Sequence, residues 1–167
     1  RYDLAGKDEF VKLNYMAYDN AGVPRQNLNL DVNTDWQDAA FQTGNMQDYN
    51  VSFSGGGDNG SYLVSANYFD NKGTVISTGF KRLGLRVNAQ GSKGIFSFGE
   101  NLALTNARAD EMSGNPYADV VRLLPTIPIY DAANPGGYGY GSESRARTFG
   151  TNPVAIADLE DRTNENF

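Results

Sequence analysis

Apolar and small polar residues alternate along four consecutive stretches between residues 47 and 106. In the first, about 47–54, Tyr49, Val51 and Phe53 alternate with Asn50, Ser52 and Ser54. A period of two predicts a strand whose two faces meet different surroundings. The second, about 61–69, sends Tyr62, Val64, Ala66 and Tyr68 one way and Ser61, Ser65 and Asn67 the other; Leu63 and Phe69 break the pattern. The third, about 80–90, sets Leu83, Leu85, Val87 and Ala89 against Arg82, Gly84, Arg86 and Asn88. The fourth, about 95–106, sets Phe96, Phe98, Leu102 and Leu104 against Ser97, Gly99, Asn101, Ala103 and Thr105. Turn residues separate them. Gly55 to Gly60 ends in an Asn-Gly step suited to positive φ, a longer connection runs from Asp70 through residue 79, and Gly91-Ser92-Lys93-Gly94 is short. The pattern predicts an all-β, up-and-down antiparallel sheet.

The flanks read differently. Residues 8–18 form an amphipathic helix pattern with Phe10, Leu13, Ala17 and Met16 to one side and Asp8 and Glu9 in the first turn. Gly22 can end it with positive φ, and Pro24 stops a restart. Thr34 or Asp35 can cap a second short helix over Trp36–Phe41, with Trp36 as its packing residue. Residues 107–167 hold five of the six prolines and little periodicity. Only Tyr117–Leu124 reads as briefly helical. A stretch of that length with so little regular structure predicts a functional loop, or one ordered by other parts of the protein.

Composition narrows the chemistry. The chain has 167 residues with neither cysteine nor histidine. Disulfides, thiolate metal sites and Ser-His-Asp catalysis are therefore excluded. An enzyme would need paired carboxylates, and no such pair stands out. No cofactor or metal is expected. The net charge of -6 divides unevenly: 4 bases face 7 acids over residues 1–46, 6 face 4 over 47–108, and 4 face 9 over 109–167. The strands are mildly basic and the flanks acidic, with no nucleic-acid footprint. Mean hydropathy is -0.52, and no apolar run is long enough for a transmembrane helix. Strands of a membrane barrel would not show in that measure. A start at Arg1 and an end in the polar run from Asp158 read as a piece of a longer protein.

The function turns on what covers the apolar row: a soluble core or lipid. Three features suit lipid. Asn, Ser, Gly and Thr, with Arg82 and Arg86, suit a wet or plugged lumen. Aromatic residues gather near strand ends, with Phe53, Tyr62, Phe96 and Phe98 towards the short turns and Tyr49, Tyr68 and Phe69 towards the other end. Connection lengths alternate between short and long, as between periplasmic turns and external loops. Glu100 falls on the apolar face and suits neither surrounding. The pattern by itself leaves both open.

Several stretches resemble, in order, the start of the barrel in SusC/RagA TonB-dependent outer-membrane transporters. They are Asn33–Phe41 (NTDWQDAAF), Met46–Gly56 (MQDYNVSFSGG), Tyr62–Val75, Phe80–Asn88, Phe98–Thr105, Leu124–Asp131 (LPTIPIYD) and Asn152–Ala155 (NPVA). The resemblance runs from about residue 8 to 155. It implies a 22-stranded transmembrane β-barrel in the bacterial outer membrane, with an internal plug, a TonB contact and a SusD-like surface lipoprotein as lid. The cargo it implies is an oligosaccharide or an oligopeptide. Residues 1–45 would connect plug to barrel, 46–106 would be four early barrel strands, and 107–167 a long extracellular loop. Tyr49, Val51, Phe53, Tyr62, Val64, Tyr68, Leu83, Leu85, Val87, Phe96, Phe98, Leu102 and Leu104 would face lipid. Asn50, Ser52, Ser65, Asn67, Arg82, Arg86 and Asn101 would face the lumen. The expected partners are the rest of the barrel and plug, the lipoprotein, TonB and membrane lipid.

Other motifs carry less. Gly55-Gly56-Gly57 lacks the Gly-Lys-Ser/Thr ending of a phosphate loop and reads as a turn. Asp31, Asn33 and Asp35 start a calcium-loop spacing, but Trp36 stands where that loop needs Gly. Two Asn-x-Ser triplets, at Asn50 and Asn59, are common by chance. In the Tyr/Gly run, Tyr138 and Tyr140 with Arg145 and Arg147 are candidates for ligand or lid contact, since rings stack on sugar or peptide faces and Arg pairs with carboxylates. The rival to transport is a secreted all-β carbohydrate-binding module that uses this loop.

Overall fold

The computed structural model describes residues 1–141, 148, 150–160 and 162–166. The chain divides into two compact units, one of residues 1–42 and 112–161 and one of residues 43–111 and 162–167.

The second unit is a five-stranded antiparallel sheet in sequence order. Its strands are β1 (Asn45–Gly57), β2 (Gly60–Lys72), β3 (Gly79–Lys93), β4 (Phe96–Asp110) and β5 (Thr163–Asn166). The first four run longer than the alternation alone suggests, because glycines and charged residues at their ends still pair. β5 lies in a polar run with no alternation to announce it; it pairs with Ala107–Asp110. Two turns are tight. Gly57 pairs with Gly60 around Asp58-Asn59, and Lys93 pairs with Phe96 around Gly94-Ile95. The positive φ expected of Asn59-Gly60 is absent, since Gly60 is held in the ladder against both Gly57 and Gly91. Gly94 does take it, at 62°, at the first central position of its turn. The β2–β3 connection closes through a Gly73 N–H bond of 2.9 Å to the Thr78 carbonyl. A Cβ at Gly73 would meet the Thr78 hydroxyl at 2.1 Å, so only glycine fits there.

The first unit is helical. It contains α1 (Lys7–Ala21), α2 (Trp36–Ala40), α3 (Pro116–Arg122) and α4 (Pro153–Leu159). Gly22 ends α1 in the left-handed region, as expected. The inward side of α1 differs from the expectation: Leu13, Met16 and Ala17 are exposed, while Phe10, Val11, Asn14, Tyr15 and Tyr18 are half-buried. The connector sets this choice. Asn14 donates to Gln26, Arg25 stands 4.7 Å from the Tyr15 ring centre, and Arg25 pairs with Asp19 at 2.6 Å.

Asp35 caps α2 by accepting from the N–H groups of Gln37 and Asp38. Both later helices begin with Asn-Pro. Asn115 caps α3 and Asn152 caps α4, each with proline at the first helical position, where no N–H is missed. That repeated Asn-Pro signal marks the start of α4, which falls in the stretch expected to be loop. The core is small: Trp36, Ala40, Val120, Leu123 and Ile127, with Phe41, Leu124 and Ile129 packed against it. The Trp36 indole donates to the Leu124 carbonyl at 3.0 Å, and Thr34 donates to Ile127 at 2.7 Å.

Trp36→Ala leaves a cavity in that core and removes the bond to Leu124. It should destabilise this unit by about 3–5 kcal/mol, seen as faster proteolysis within residues 1–42 and 112–161 while the strands stay protected.

Candidate functional site

The register sorts the strand side chains onto two faces. Tyr49, Tyr68 and Leu83 share one row across the sheet, followed by Val51, Ala66, Leu85 and Leu104, then Phe53, Val64, Val87 and Leu102. The next row towards the tight turns holds Gly55, Tyr62, Ala89 and Glu100, and beyond it lie Gly91 with Phe98 and Lys93 with Phe96. Every residue in the apolar set named above is therefore on one face, and Glu100 stands among them. Much of this face is bare: Phe53 is 68% exposed, Leu83 57%, Leu104 53% and Phe96 76%.

Aromatics mark both ends of this face. Tyr49 and Tyr68 stack with centroids 6.5 Å apart. At the turn end, rings lie flat over glycine. A Cβ at Gly55 would come within 2.8 Å of the Tyr62 ring, and one at Gly91 within 2.6 Å of Phe98. These glycines give the aromatic rings their seats, a cross-strand use that the one-dimensional pattern does not show.

Asn50, Ser52, Ser65, Asn67, Arg82, Arg86 and Asn101 all fall on the opposite face. Asp48, missed in the sequence, is its hub. It accepts from Asn50 at 3.0 Å and from Asn67 at 2.7 Å, and Arg82 donates to Asn67 at 3.3 Å. Phe69, which broke the alternation, belongs to this face. It packs tilted against Phe80 at 5.9 Å, and the Arg82 guanidinium stands 5.8 Å from its ring centre. Nearer the turns this face is concave. A hollow of about 800 Å³ there is lined by Ser54, Ser61, Leu63, Asn88, Gln90 and Asn101. The Asn88 amide oxygen is buried there with no hydrogen-bond partner among the described residues.

The Tyr/Gly run lies in the helical unit. Tyr138 pairs with Tyr130 in an antiparallel bridge with rings 5.4 Å apart, and its hydroxyl donates to Asp158 at 2.9 Å. That bond, to a carboxylate, holds the Tyr138 phenol above its ordinary pKa. Gly139 passes so close to Pro128 that a Cβ would overlap its carbonyl. Asn152 ties the segment together. Its amide donates to Ile129 at 2.9 Å and Gly139 at 3.0 Å, while its oxygen accepts from Val154 and Ala155. Tyr138 is thus engaged in holding the loop, and Tyr130 and Tyr140 present exposed rings, 62% and 47% accessible. Arg145 and Arg147 lie outside the described residues. Among those described, no group of three acidic residues could hold a metal ion.

An antiparallel sheet bare on its apolar face, with aromatics at both ends and a concave polar face opposite, has the make-up of a β-barrel wall. The comparisons agree. No family model matches the chain. It is 34% identical to TonB-dependent receptor SusC of Bacteroides thetaiotaomicron over 92% of its length, and 29% and 30% identical to TonB-dependent receptors P3 and P26 of Formosa agariphila over 78% and 81%. The chain is similar to a segment of the SusC-like TonB-dependent receptors, and that similarity implies that its sheet is a β-barrel fragment. It spans 16%, 14% and 13% of those relatives' lengths.

The Tyr138 bond has a pH signature. The raised phenol pKa means its contribution is fully present below the ordinary tyrosine value near 10. It is lost as pH rises through the higher folded value. Ultraviolet titration of tyrosinate should show a late-ionising component that Tyr138→Phe and Asp158→Asn each reduce by one tyrosine.

Proposed function

We propose that this chain is part of the barrel of an outer-membrane TonB-dependent importer. In this reading the apolar face meets lipid and the concave polar face meets the lumen and plug. TonB acts through segments outside this chain, and a SusD-like surface lipoprotein closes over the loops. The cargo is an oligosaccharide or an oligopeptide. Import is binding and gating, with no covalent step assigned to any residue here.

The observation that carries the reading is the bare apolar face. Leaving one large apolar side chain in water forgoes about 1.5–3 kcal/mol. Over this row the sum exceeds the whole stability of an ordinary domain, about 5–15 kcal/mol. Lipid removes that deficit. The dimensions also fit. From Leu83 to Lys93 is about 33 Å of strand, which at a tilt of about 40° rises about 25 Å, the height of a barrel's apolar band. Glu100 falls within that height, beside the edge of β4 that β5 leaves open. The reading therefore requires the neighbouring strand to supply its partner.

For the cargo, Tyr130 and Tyr140 offer flat rings that suit sugar or peptide faces. A secreted carbohydrate-binding module would use the same rings but would bury one sheet face, and neither is buried. Residues 1–167 expressed alone in detergent-free buffer should aggregate, and should fold only with the remaining strands and a lipid or detergent phase. A soluble monomer with a cooperative melting transition would favour the secreted module.

A further inference from the structure

Two anomalies on the polar face stand opposite one another. Leu63 interrupts the alternation of β2, and the register pairs it with Asn88 on β3. From the row of Asn50, Asn67 and Gly84 to the tight turns, Leu63 is the one large apolar side chain on this face among the described residues. Asn88 carries the buried amide oxygen that has no hydrogen-bond partner among those residues.

Their surroundings are neutral. The Leu63 row also holds Ser54 and Asn101, and the next row towards the turns holds Gly56, Ser61, Gln90 and Gly99. Gln90 donates to Ser61 at 3.1 Å. The two glycines leave room, and these two rows line the hollow of about 800 Å³. Towards the long connections the same face is charged and bonded to itself, through Asp48, Asn67 and Arg82. A buried acceptor left unmatched costs stability whenever its site is empty. Passing cargo would leave it empty between transport events, and a resident protein segment would not. An apolar knob beside an acceptor suits such a segment, which can offer an apolar side chain to the one and an N–H or O–H to the other.

We propose that this hollow is the seat of the receptor's own plug on the barrel wall. The seated segment packs an apolar side chain on Leu63, donates a hydrogen bond to Asn88 and brings no charge. The proposal rests on the barrel reading, in which the tight turns mark the periplasmic end. The chain spans 16% of the SusC relative, which leaves ample sequence outside it for the occupant. A neutral seat has a consequence for import. When the plug moves, water replaces each hydrogen bond it gives up, whereas a parted ion pair would leave two charges to be solvated inside a narrow lumen.

The test uses the complete receptor that carries this sequence, purified in detergent with no sugar or peptide added. A photoreactive benzophenone amino acid in place of Leu63 should cross-link to plug peptides, mapped by mass spectrometry after digestion. In planar bilayers, at a urea concentration where the unaltered receptor is mostly closed, Asn88→Leu should raise the open fraction about threefold to tenfold, the worth of about one hydrogen bond. Heat resistance of the barrel in detergent, read by gel mobility, should stay the same, which separates a loosened plug from a misfolded wall. If the wall itself loses heat resistance, the cross-link alone decides. Cross-links confined to other barrel loops, no cross-link at all, or an open fraction unchanged in an intact Asn88→Leu barrel overturns the proposal. Failure of the barrel reading shows separately: the same photoreactive residue in place of Val51 should couple to lipid in vesicles, whatever Leu63 touches.

Discussion

Strands β1 to β4 present a bare apolar face and ladder edges that the described residues leave open. β1 has no strand beyond it, and β5 covers β4 only over Ala107–Asp110. In water the face would favour collapse and the edges would invite pairing with other chains. In hydrocarbon an open edge is not tolerated at all. Both demands are met together when the sheet closes with further strands and turns its apolar face to lipid. The alternation, the seating of Tyr62 and Phe98 on glycines, and the amide and guanidinium network on the other face all follow from that constraint.

The helical unit meets a different demand with little apolar material. Its core has few buried side chains among the described residues, so hydrogen-bonded polar groups hold much of it. Asn152 uses both ends of its amide, Thr34 and Trp36 tie α2 to the Leu124–Ile127 stretch, and Asp35, Asn115 and Asn152 cap three helices. The non-strand motifs that resemble SusC/RagA transporters, at residues 33–41, 124–131 and 152–155, are the ones that meet in this unit. Their spacing in sequence hides a single packed cluster.

The sheet was legible because one chemical contrast repeats every second residue, and the register needed only turn positions to follow. What lay beyond that contrast was not. β5 is Thr-Asn-Glu-Asn and owes its strand to the edge of β4. Phe69 reads as a defect until Phe80 and Arg82 are placed beside it. The inward side of α1 is set by Arg25 and Gln26 in the connector, which helical periodicity does not see. Tyr138 is a plausible ligand ring by composition, and only the bond to Asp158 shows it bracing its own loop. Gly55 and Gly91 look like turn punctuation, yet each makes room for a ring on the next strand.

The central claim is that the odd and even positions of one strand meet lipid and lumen. Spin labels placed singly from Lys81 to Ala89 in the complete receptor, reconstituted in vesicles, test it most directly. Collision with dissolved oxygen should peak at Leu83, Leu85 and Val87 and dip at Arg82, Gly84, Arg86 and Asn88. A profile without that period, or one with peaks and dips exchanged, would contradict the account.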